Sequence, residues 1–373
     1  MTPAVLVTRS FWIEATPFAA GNFTGKLPPL PELRGHVLFA TSGSTGAPKW
    51  IALSKTALLA SAAAVNRHLG VTRTSCWGLA LPLHHVGGFG VAARAHEAGC
   101  RYARFDWRWD AASFAAWLTE NEVTHASLVP TQVHDLVKAG IRTRHSLRAV
   151  VVGGGHLDLE TGRAARSLGW PVLASYGMTE AASQIATQDF SALEQPYQPA
   201  PLPLLPIWRT RLADDGRLEI AGPALFSGTL VKEEDEWRFI PRGGDWHVTG
   251  DRVEIEGNLL TPLDRADLRV KVLGELVDPE DIERALVQLS GNRLAPGSVV
   301  VVPVPDERAG HALVPVFDPI VNHAMAETLV NDHSAAVPGP WRLRPPVFPD
   351  VFPRSALGKP LRAEISVSIC PES

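Results

Sequence analysis

Residues 149–180 read AVVVGGGHLDLETGRAARSLGWPVLASYGMTE. The run Ala149-Val150-Val151-Val152 is short and apolar and stops at Gly153-Gly154-Gly155, which reads as a buried strand ending in a turn. Leu159–Leu168 reads as a helix and Pro171–Ser175 as the next strand. A strand, a glycine turn, a helix and a strand in succession predict parallel pairing, because parallel neighbours need a crossover element between them.

The alternation continues on the N-terminal side. His36–Ala40 reads as a buried strand ended by a Gly/Ser/Thr cluster, and Ile51–Leu53 as a second apolar run. Residues 54–69 (SKTALLASAAAVNRHL) predict a helix with Ser54 as its N-cap. Cys76–Leu81 and Thr124–Val129 read as strands, and Gly87–Ala98, Ala111–Glu120 and Thr131–Ala139 as helices. Residues 1–34 read as a short leader with a Pro-rich end. Ligands of such sheets sit at the carboxyl ends of strands, where the clusters 41–49, 153–155 and 176–184 fall.

The texture changes after about residue 190. Residues 196–203 (PYQPAPLP) suit neither a helix nor a central strand and read as a connector. Residues 207–262 read as β-rich, with turn signals at Asp214-Asp215-Gly216 and Gly243-Gly244. A smaller α/β unit follows from about 268, with Pro279–Leu289 as a helix and Val299–Val302 and Ala312–Phe317 as strands.

Composition removes several classes. Hydrophobic residues are 45% of the 373, too many for a disordered chain, and the length suits two or three domains. With 35 Lys+Arg against 39 Asp+Glu the net charge is −4, which argues against nucleic acid held on a broad basic surface. Three scattered cysteines, Cys76, Cys100 and Cys370, make neither a disulfide framework nor a CxxC metal site. No signal peptide and no membrane-spanning apolar run is read, so a cytoplasmic location is expected.

Four loops carry candidate chemistry. Thr41-Ser42-Gly43-Ser44-Thr45-Gly46-Ala47-Pro48-Lys49 combines glycines, hydroxyls and a lysine, which together can share a polyphosphate's charge. Pro48 before the lysine separates it from the common P-loop. Ser175-Tyr176-Gly177-Met178-Thr179-Glu180 offers a flat ring for a base, a hydroxyl for a phosphate and a carboxylate for Mg²⁺. In Val248-Thr249-Gly250-Asp251 the aspartate can accept from two ribose hydroxyls. Pro353-Arg354-Ser355-Ala356-Leu357-Gly358-Lys359 sets a lysine on a glycine turn. Singly, each also reads as ordinary structure: a surface loop, a helix start capped by Thr179, a turn aspartate, a solvated lysine.

Together and in this order, the four segments resemble the adenylate-forming superfamily of acyl-CoA synthetases, luciferases and peptide-synthetase adenylation domains. Leu263-Asp264-Arg265-Ala266-Asp267 resembles its hinge motif, and the resemblance covers residues 36–362. Within the superfamily, GMTEAASQIAT (177–187) looks like the extended motif of the o-succinylbenzoate–CoA ligases of menaquinone biosynthesis. Pro82-Leu83-His84-His85-Val86-Gly87-Gly88 resembles a further family motif, with His85 in place of its usual histidine.

The resemblance implies an α/β fold: a large N-terminal domain (1–264), mostly parallel sheet plus the β-rich part, and a small mobile C-terminal α+β domain (265–373) hinged near Asp267. It implies a carboxylic acid, ATP, Mg²⁺ and coenzyme A, reacting through an acyl-adenylate. Lys359 would bridge the carboxylate and the α-phosphate, Thr179 would touch that phosphate, and Glu180 would hold Mg²⁺. Thr41, Ser42, Gly43, Ser44, Thr45, Gly46 and Lys49 would restrain the outer phosphates. Gly153, Gly154, Gly155, Ser175, Tyr176 and Gly177 would bracket the adenine, and Asp251 and Arg265 the ribose. His85, Ser183, Gln184 and Thr187 are candidates for the acyl pocket. Arg94 could face a second carboxylate, although a surface arginine is the expected reading. Lys271 and Gly274 would lie on the coenzyme A side after rotation about Asp267.

The chain departs from the pattern at Asp264, where the family has glycine, and at Leu273, which stands in place of the first of two glycines. Only 40 residues precede Thr41, so a form lacking most of the first subdomain is expected, with a homodimer covering the open side. Competing readings are another acyl- or aryl-CoA ligase, an enzyme loading a carrier protein, and a non-catalytic nucleotide sensor.

Overall fold

The structure, a computed structural model, describes the chain apart from residues 1, 2, 7, 22, 24, 25, 42–48, 144–146, 234, 235, 266, 267, 269, 274, 292, 307, 357 and 370–373, and apart from the side chains at 3, 4, 264, 265 and 276. The chain divides into two compact units: Met1–Thr249 with Val253–Pro262, and Gly250–Arg252 with Leu263–Ser373.

The elements up to the division are, in chain order, α1 (Pro3–Leu6), α2 (Arg9–Ile13), β1 (Phe18–Ala20), β2 (His36–Thr41), β3 (Lys49–Ser54), α3 (Lys55–His68), β4 (Cys76–Leu79) and α4 (Val86–Ala98). Next come β5 (Arg101–Arg104), α5 (Ala111–Glu120), β6 (His125–Leu128), α6 (Pro130–Lys138), β7 (Ala149–Val152), α7 (Leu159–Ser167), β8 (Val172–Met178) and β9 (Ser183–Thr187). The series closes with β10 (Leu202–Pro203), β11 (Arg209–Leu212), β12 (Arg217–Ala221), β13 (Gly228–Glu233), β14 (Glu236–Pro241), β15 (His247–Glu256) and β16 (Leu259–Arg265).

Among the described residues, six strands form a sheet in the order β5-β4-β6-β7-β8-β9. Its pairs are parallel up to β8, and β9 folds back antiparallel on β8. Every residue of β4, β6 and β7 is buried, which is why these strands read as continuous apolar runs without alternation. Three helices, α3, α5 and α7, start on side-chain caps: Ser54 Oγ accepts from Ala57 N–H (3.0 Å), Asp110 Oδ1 from Ser113 N–H (2.7 Å) and Asp158 Oδ1 from Thr161 N–H (2.8 Å). Each cap is worth about 1 kcal/mol.

A second sheet runs β1-β2-β3-β13-β14. It corrects two expectations. Strand β2 pairs parallel with β1 and antiparallel with β3, Thr41 opposite Lys49, so segment 41–49 follows a strand of this mixed sheet and not one of the six-stranded sheet. And β13 leaves the β-rich region to pair with β3, Gly228 opposite Ala52 and Leu230 opposite Trp50. Strand β14 goes with it, and β11, β12, β15 and β16 form, with β10, the sheet β10-β16-β15-β12-β11.

The leader is a structural part of the fold. Phe11 and Trp12 of α2 are buried, and Phe11 meets Phe18 and Phe89 at ring distances of 5.8 and 6.1 Å. Lys55 Nζ donates to Glu14 O (2.8 Å) and ties this segment to α3.

After the division come β17 (Val270–Val272), β18 (Glu275–Val277), α8 (Pro279–Leu289), β19 (Val299–Asp306), β20 (Gly310–Phe317), α9 (His323–Ala336) and α10 (Arg362–Ile369). The hairpin β19–β20 has a core on each face. Val299, Val301, Leu313 and Phe317 pack with Ile282 and Leu286 of α8 and Leu329 and Val330 of α9. Val300, Val302, Val314 and Val316 pack with Phe352 and Ile365. The two-residue period of a strand separates these sets. Among the described residues no helix is long and apolar enough to cross a membrane.

Candidate active site

The carboxyl ends of β7 and β8 and the fold-back of β9 build the turn that the sequence marks. Strand β7 opens into Gly153–Gly155, with Gly154 at φ +75°. Strand β8 carries Ser175, Tyr176 and Gly177 and runs into a one-turn 3₁₀ segment, Thr179–Ala181. Ala182 and Ser183 then take φ values of +49° and +105°. Left-handed backbone costs a non-glycine residue roughly 1 kcal/mol or more and persists where its surroundings hold it. Here Phe226 N–H donates to Glu180 O (2.8 Å) and Ser61 Oγ–H to Ala182 O (2.8 Å). Gly177 closes the turn: a Cβ there would stand 1.6 Å from Ser183 O, so no side chain fits. Thr179 and Glu180 are half-buried on this turn, and Tyr176 is half-buried one step before it.

The expected acyl residues divide into two groups. Gln184 and Thr187 are buried on β9, where Thr187 Oγ1 donates to Gln184 Oε1 (2.5 Å) and lies 3.0 Å from Ser175 Oγ. They brace the floor under Ser175. His85 is half-buried at the N-cap of α4 and meets His84 at a ring distance of 4.5 Å. Burial, with the neighbouring His84 charge adding to it, holds the His85 imidazole down to about 4, so it is neutral near pH 7. Gly88 lets α4 fold tightly onto the preceding turn: a Cβ there would stand 2.3 Å from Pro82 O.

Arg94 is the residue that the sequence reading set aside. It is 2% exposed, not on the surface. Its Nη1 donates to Ser127 Oγ (3.2 Å), its Nη2 to Ser183 Oγ (3.2 Å), and the guanidinium lies 5.2 Å from the Trp77 ring centre. Burial lowers its pKa to about 10, still well above neutral. Among the described residues no carboxylate lies within ion-pair distance of it. Gly90 faces it from the preceding turn, where a Cβ would stand 3.3 Å from Nη2. A readable signal existed: in the stretch VGGFGVAARA (86–95) this arginine is the one charged residue among apolar ones and glycines, and Glu97 follows only in the helix's last turn.

The remaining expected site residues lie as follows. Thr41 and Lys49 face each other at the mouth of the β2–β3 hairpin, with Thr41 Oγ1 donating to Lys49 O (3.4 Å). Ser42, Gly43, Ser44, Thr45 and Gly46 lie outside the described residues, as do Asp267 and Gly274. Asp251 is in β15, among the residues grouped with the second unit. Arg265 ends β16, its side chain outside the described set. Lys271 is exposed on β17, and Lys359 is exposed on the turn before α10.

A nucleotide with its magnesium fits the chemistry of the β8–β9 turn. Mg²⁺ commonly takes one or two carboxylates beside phosphate oxygens and water, so Glu180 suffices as a protein ligand. Among the described residues no group of three or more His, Cys, Asp or Glu is placed to hold a metal ion.

Comparison with known proteins gives these likenesses a name. The family model described as AMP-binding enzyme matches residues 24–228. A 2-succinylbenzoate–CoA ligase of Escherichia coli is 32% identical over 284 residues, which are 74% of this chain and 57% of that protein. One of Enterococcus faecalis is 27% identical over 335 residues, 86% of this chain and 66% of that protein. The chain thus spans less than two thirds of the length of these curated relatives. Among solved structures, wild-type E. coli MenE with a bound m-phenylether-linked analogue of OSB-AMS has 25% identity and a TM-score of 0.63, covering 90% of this chain and 69% of that one. MenE from Bacillus subtilis, in complex with ATP and magnesium ion, has 24% identity and a TM-score of 0.72, covering 87% and 68%, and shares the fold. The family match takes in more than half of the sequence, and the chain belongs to the AMP-binding enzyme family.

Proposed function

We propose that this protein is an ATP-dependent acid–thiol ligase that converts o-succinylbenzoate, an aromatic dicarboxylate, to its coenzyme A thioester. In the first half-reaction a carboxylate oxygen attacks the α-phosphorus of ATP. The bond to the oxygen bridging to the β-phosphorus breaks, and pyrophosphate leaves with that electron pair. In the second, the coenzyme A thiol loses its proton and attacks the acyl carbon, and AMP leaves with the bridging oxygen.

Both partners of the first step are anions, so positioning and charge neutralisation carry the catalysis. Lys359 bridges the attacking carboxylate and the α-phosphate, and Thr179 donates to that phosphate. The 41–49 loop restrains the β- and γ-phosphates. Tyr176 and the Gly153–Gly155 backbone bracket the adenine, and Asp251 and Arg265 take the ribose. Magnesium, when bound, neutralises phosphate charge, and Glu180 is the residue that would hold it. Neutral His85 lines the acyl side, and the segment around Lys271 and Gly274 serves the thiol step.

The observation that carries the choice of acid is Arg94. A buried cation whose partners are two hydroxyls and an indole face suits a ligand that brings its own carboxylate. A substrate with one reacting carboxylate and one retained carboxylate meets that need, and the names of the two relatives support it. Incubation with o-succinylbenzoate, ATP, Mg²⁺ and coenzyme A is expected to yield the thioester, AMP and pyrophosphate. No thioester and no pyrophosphate would overturn the assignment. Arg94→Met is expected to raise KM for o-succinylbenzoate by about 30- to 150-fold, the loss of one charged hydrogen bond of about 2–3 kcal/mol. The same variant should handle 4-oxo-4-phenylbutyrate, which lacks the ring carboxylate, about as well as the wild type does. Equal losses with both acids would remove Arg94 from the second carboxylate.

A further inference from the structure

The turn that presents Lys359 is held by several backbone hydrogen bonds while the lysine side chain stays exposed. Gly358 N–H donates to Ser355 O (2.8 Å), and Ser355 N–H to Lys359 O (2.8 Å). Lys359 N–H donates to Ser355 Oγ (3.2 Å), and Leu361 N–H to Pro353 O (2.9 Å). Gly358 supplies the left-handed residue of the turn, at φ +76°. Among the described residues the Lys359 ammonium makes no hydrogen bond and no ion pair.

One side chain clamps this turn from behind. Arg354 Nη1 donates to Gly358 O (2.8 Å), the carbonyl of the peptide that leads into Lys359. Its Nη2 and Nε donate to Asp318 Oδ2 at 2.6 and 3.2 Å. Asp318 is 8% exposed, its N–H is bonded to Ser298 O (2.9 Å), and its Oδ1 accepts from Ile320 N–H (3.1 Å). The Arg354 guanidinium also lies 4.9 Å from the Phe352 ring centre. Asp318 thus aims the arginine, and the arginine fixes the peptide on which the lysine is carried. A lysine at 354 could keep the ion pair but not hold both acceptors at once, because it lacks the planar fork.

We propose that Arg354, aimed by Asp318, is the positioning residue of Lys359, holding its turn ready for the first half-reaction. This rests on the reading of Lys359 as the lysine of adenylate formation. Misplacement of a catalytic group by about 1 Å costs about 100-fold, and the whole effect should fall on kcat.

The test compares Arg354→Met, Arg354→Lys, Asp318→Asn and Lys359→Ala in the full chain. Pyrophosphate exchange with o-succinylbenzoate reports the first half-reaction, and thioester formation from supplied acyl-adenylate and coenzyme A reports the second. Arg344→Ala, which removes the surface ion pair of Arg344 with Asp306 elsewhere in the same unit, serves as the matched control with wild-type rates. Arg354→Met is expected to lose about 30- to 100-fold in exchange kcat, with KM for ATP and acid and the second half-reaction within about two-fold of wild type. Asp318→Asn should fall between, and Arg354→Lys should recover part of the loss. Hydrogen exchange gives a readout without turnover: the Gly358 and Lys359 amides should exchange about ten-fold faster in Arg354→Met than in Arg344→Ala. Exchange kinetics at the control level in Arg354→Met, while Lys359→Ala has lost them, would overturn this proposal alone. Equal loss of both half-reactions in Arg354→Met would reduce Arg354 to a stability role. No pyrophosphate exchange in the wild type, or full exchange in Lys359→Ala, would overturn the underlying reading and this proposal with it.

Discussion

Two buried cationic side chains on neighbouring elements resolve burial in opposite ways. Arg94 keeps its charge, because even a pKa lowered to about 10 leaves it protonated near pH 7. A fold that holds an uncompensated charge accepts a cost in stability, which is the pattern of a binding site. His125 sheds its proton instead. It is fully buried on β6, with Nε2 3.2 Å from Leu69 O and Nδ1 2.8 Å from Thr124 Oγ1. Burial holds its pKa down to about 4 against 6.5 for the exposed group, outweighing the hydrogen bond to Leu69. The folded-state value lies below the unfolded one, so this stability is complete above about pH 6.5. It is lost as pH falls from there towards 4, by about 3 kcal/mol in all. His36, His85, His134 and His247 are lowered in the same direction, so the measurement is a difference between variants. Denaturant titrations of wild type and His125→Gln between pH 7 and 4 should diverge in slope by about 1.4 kcal/mol per pH unit, the wild type being steeper. Parallel curves would show that His125 does not titrate with unfolding.

At the scale of elements, the same backbone device recurs in the two units. A non-glycine residue in the left-handed region follows Glu180 on the β8–β9 turn, and another, Leu273 at φ +52°, joins β17 to β18. Leu273 is 51% exposed, and its N–H donates to Ala309 O (2.8 Å). The strain has little burial to offset it, so Leu273→Gly is expected to stabilise the second unit by about 0.5–1 kcal/mol. A lower melting temperature for the variant would show that the leucine's packing outweighs its backbone. This position was legible in the sequence as a departure from a glycine pattern, as were β4, β6, β7 and β8. Strands buried on both faces write themselves as apolar runs that need no partner to be recognised. Strand β5 (RYAR) was not legible, since an exposed edge strand carries no such run. The place of β13 was not legible either. Its register, Gly228 opposite Ala52, is a long-range choice that no local pattern encodes. Arg94 was misread for a different reason: composition suggests that arginines are outside, and that expectation outweighed the apolar run around it; its packing against Trp77, Ser127 and Ser183 shows that it is buried.

For the whole molecule, the division into two units gives the proposed chemistry a separable form. Each unit has hydrophobic clusters of its own, those around Trp77 and Phe89 in the first and those on either face of β19–β20 in the second. The residues proposed to hold the nucleotide lie largely on the first unit, and Lys359 lies on the second. A cation needed to bring a carboxylate and a triphosphate together has no such task once the adenylate is formed and the deprotonated coenzyme A thiol attacks its acyl carbon. Lys359→Ala is therefore expected to lose pyrophosphate exchange by at least about 100-fold while converting supplied acyl-adenylate and coenzyme A to thioester near the wild-type rate. The exposed position of Lys359 makes the substitution mild for stability, so a change in rate is not a change in folded fraction. Glu180→Gln should behave differently, since it weakens nucleotide binding and so raises KM for ATP in the first half-reaction. Equal loss of both half-reactions in Lys359→Ala would mean that the lysine serves both steps, and the separation of roles would fall.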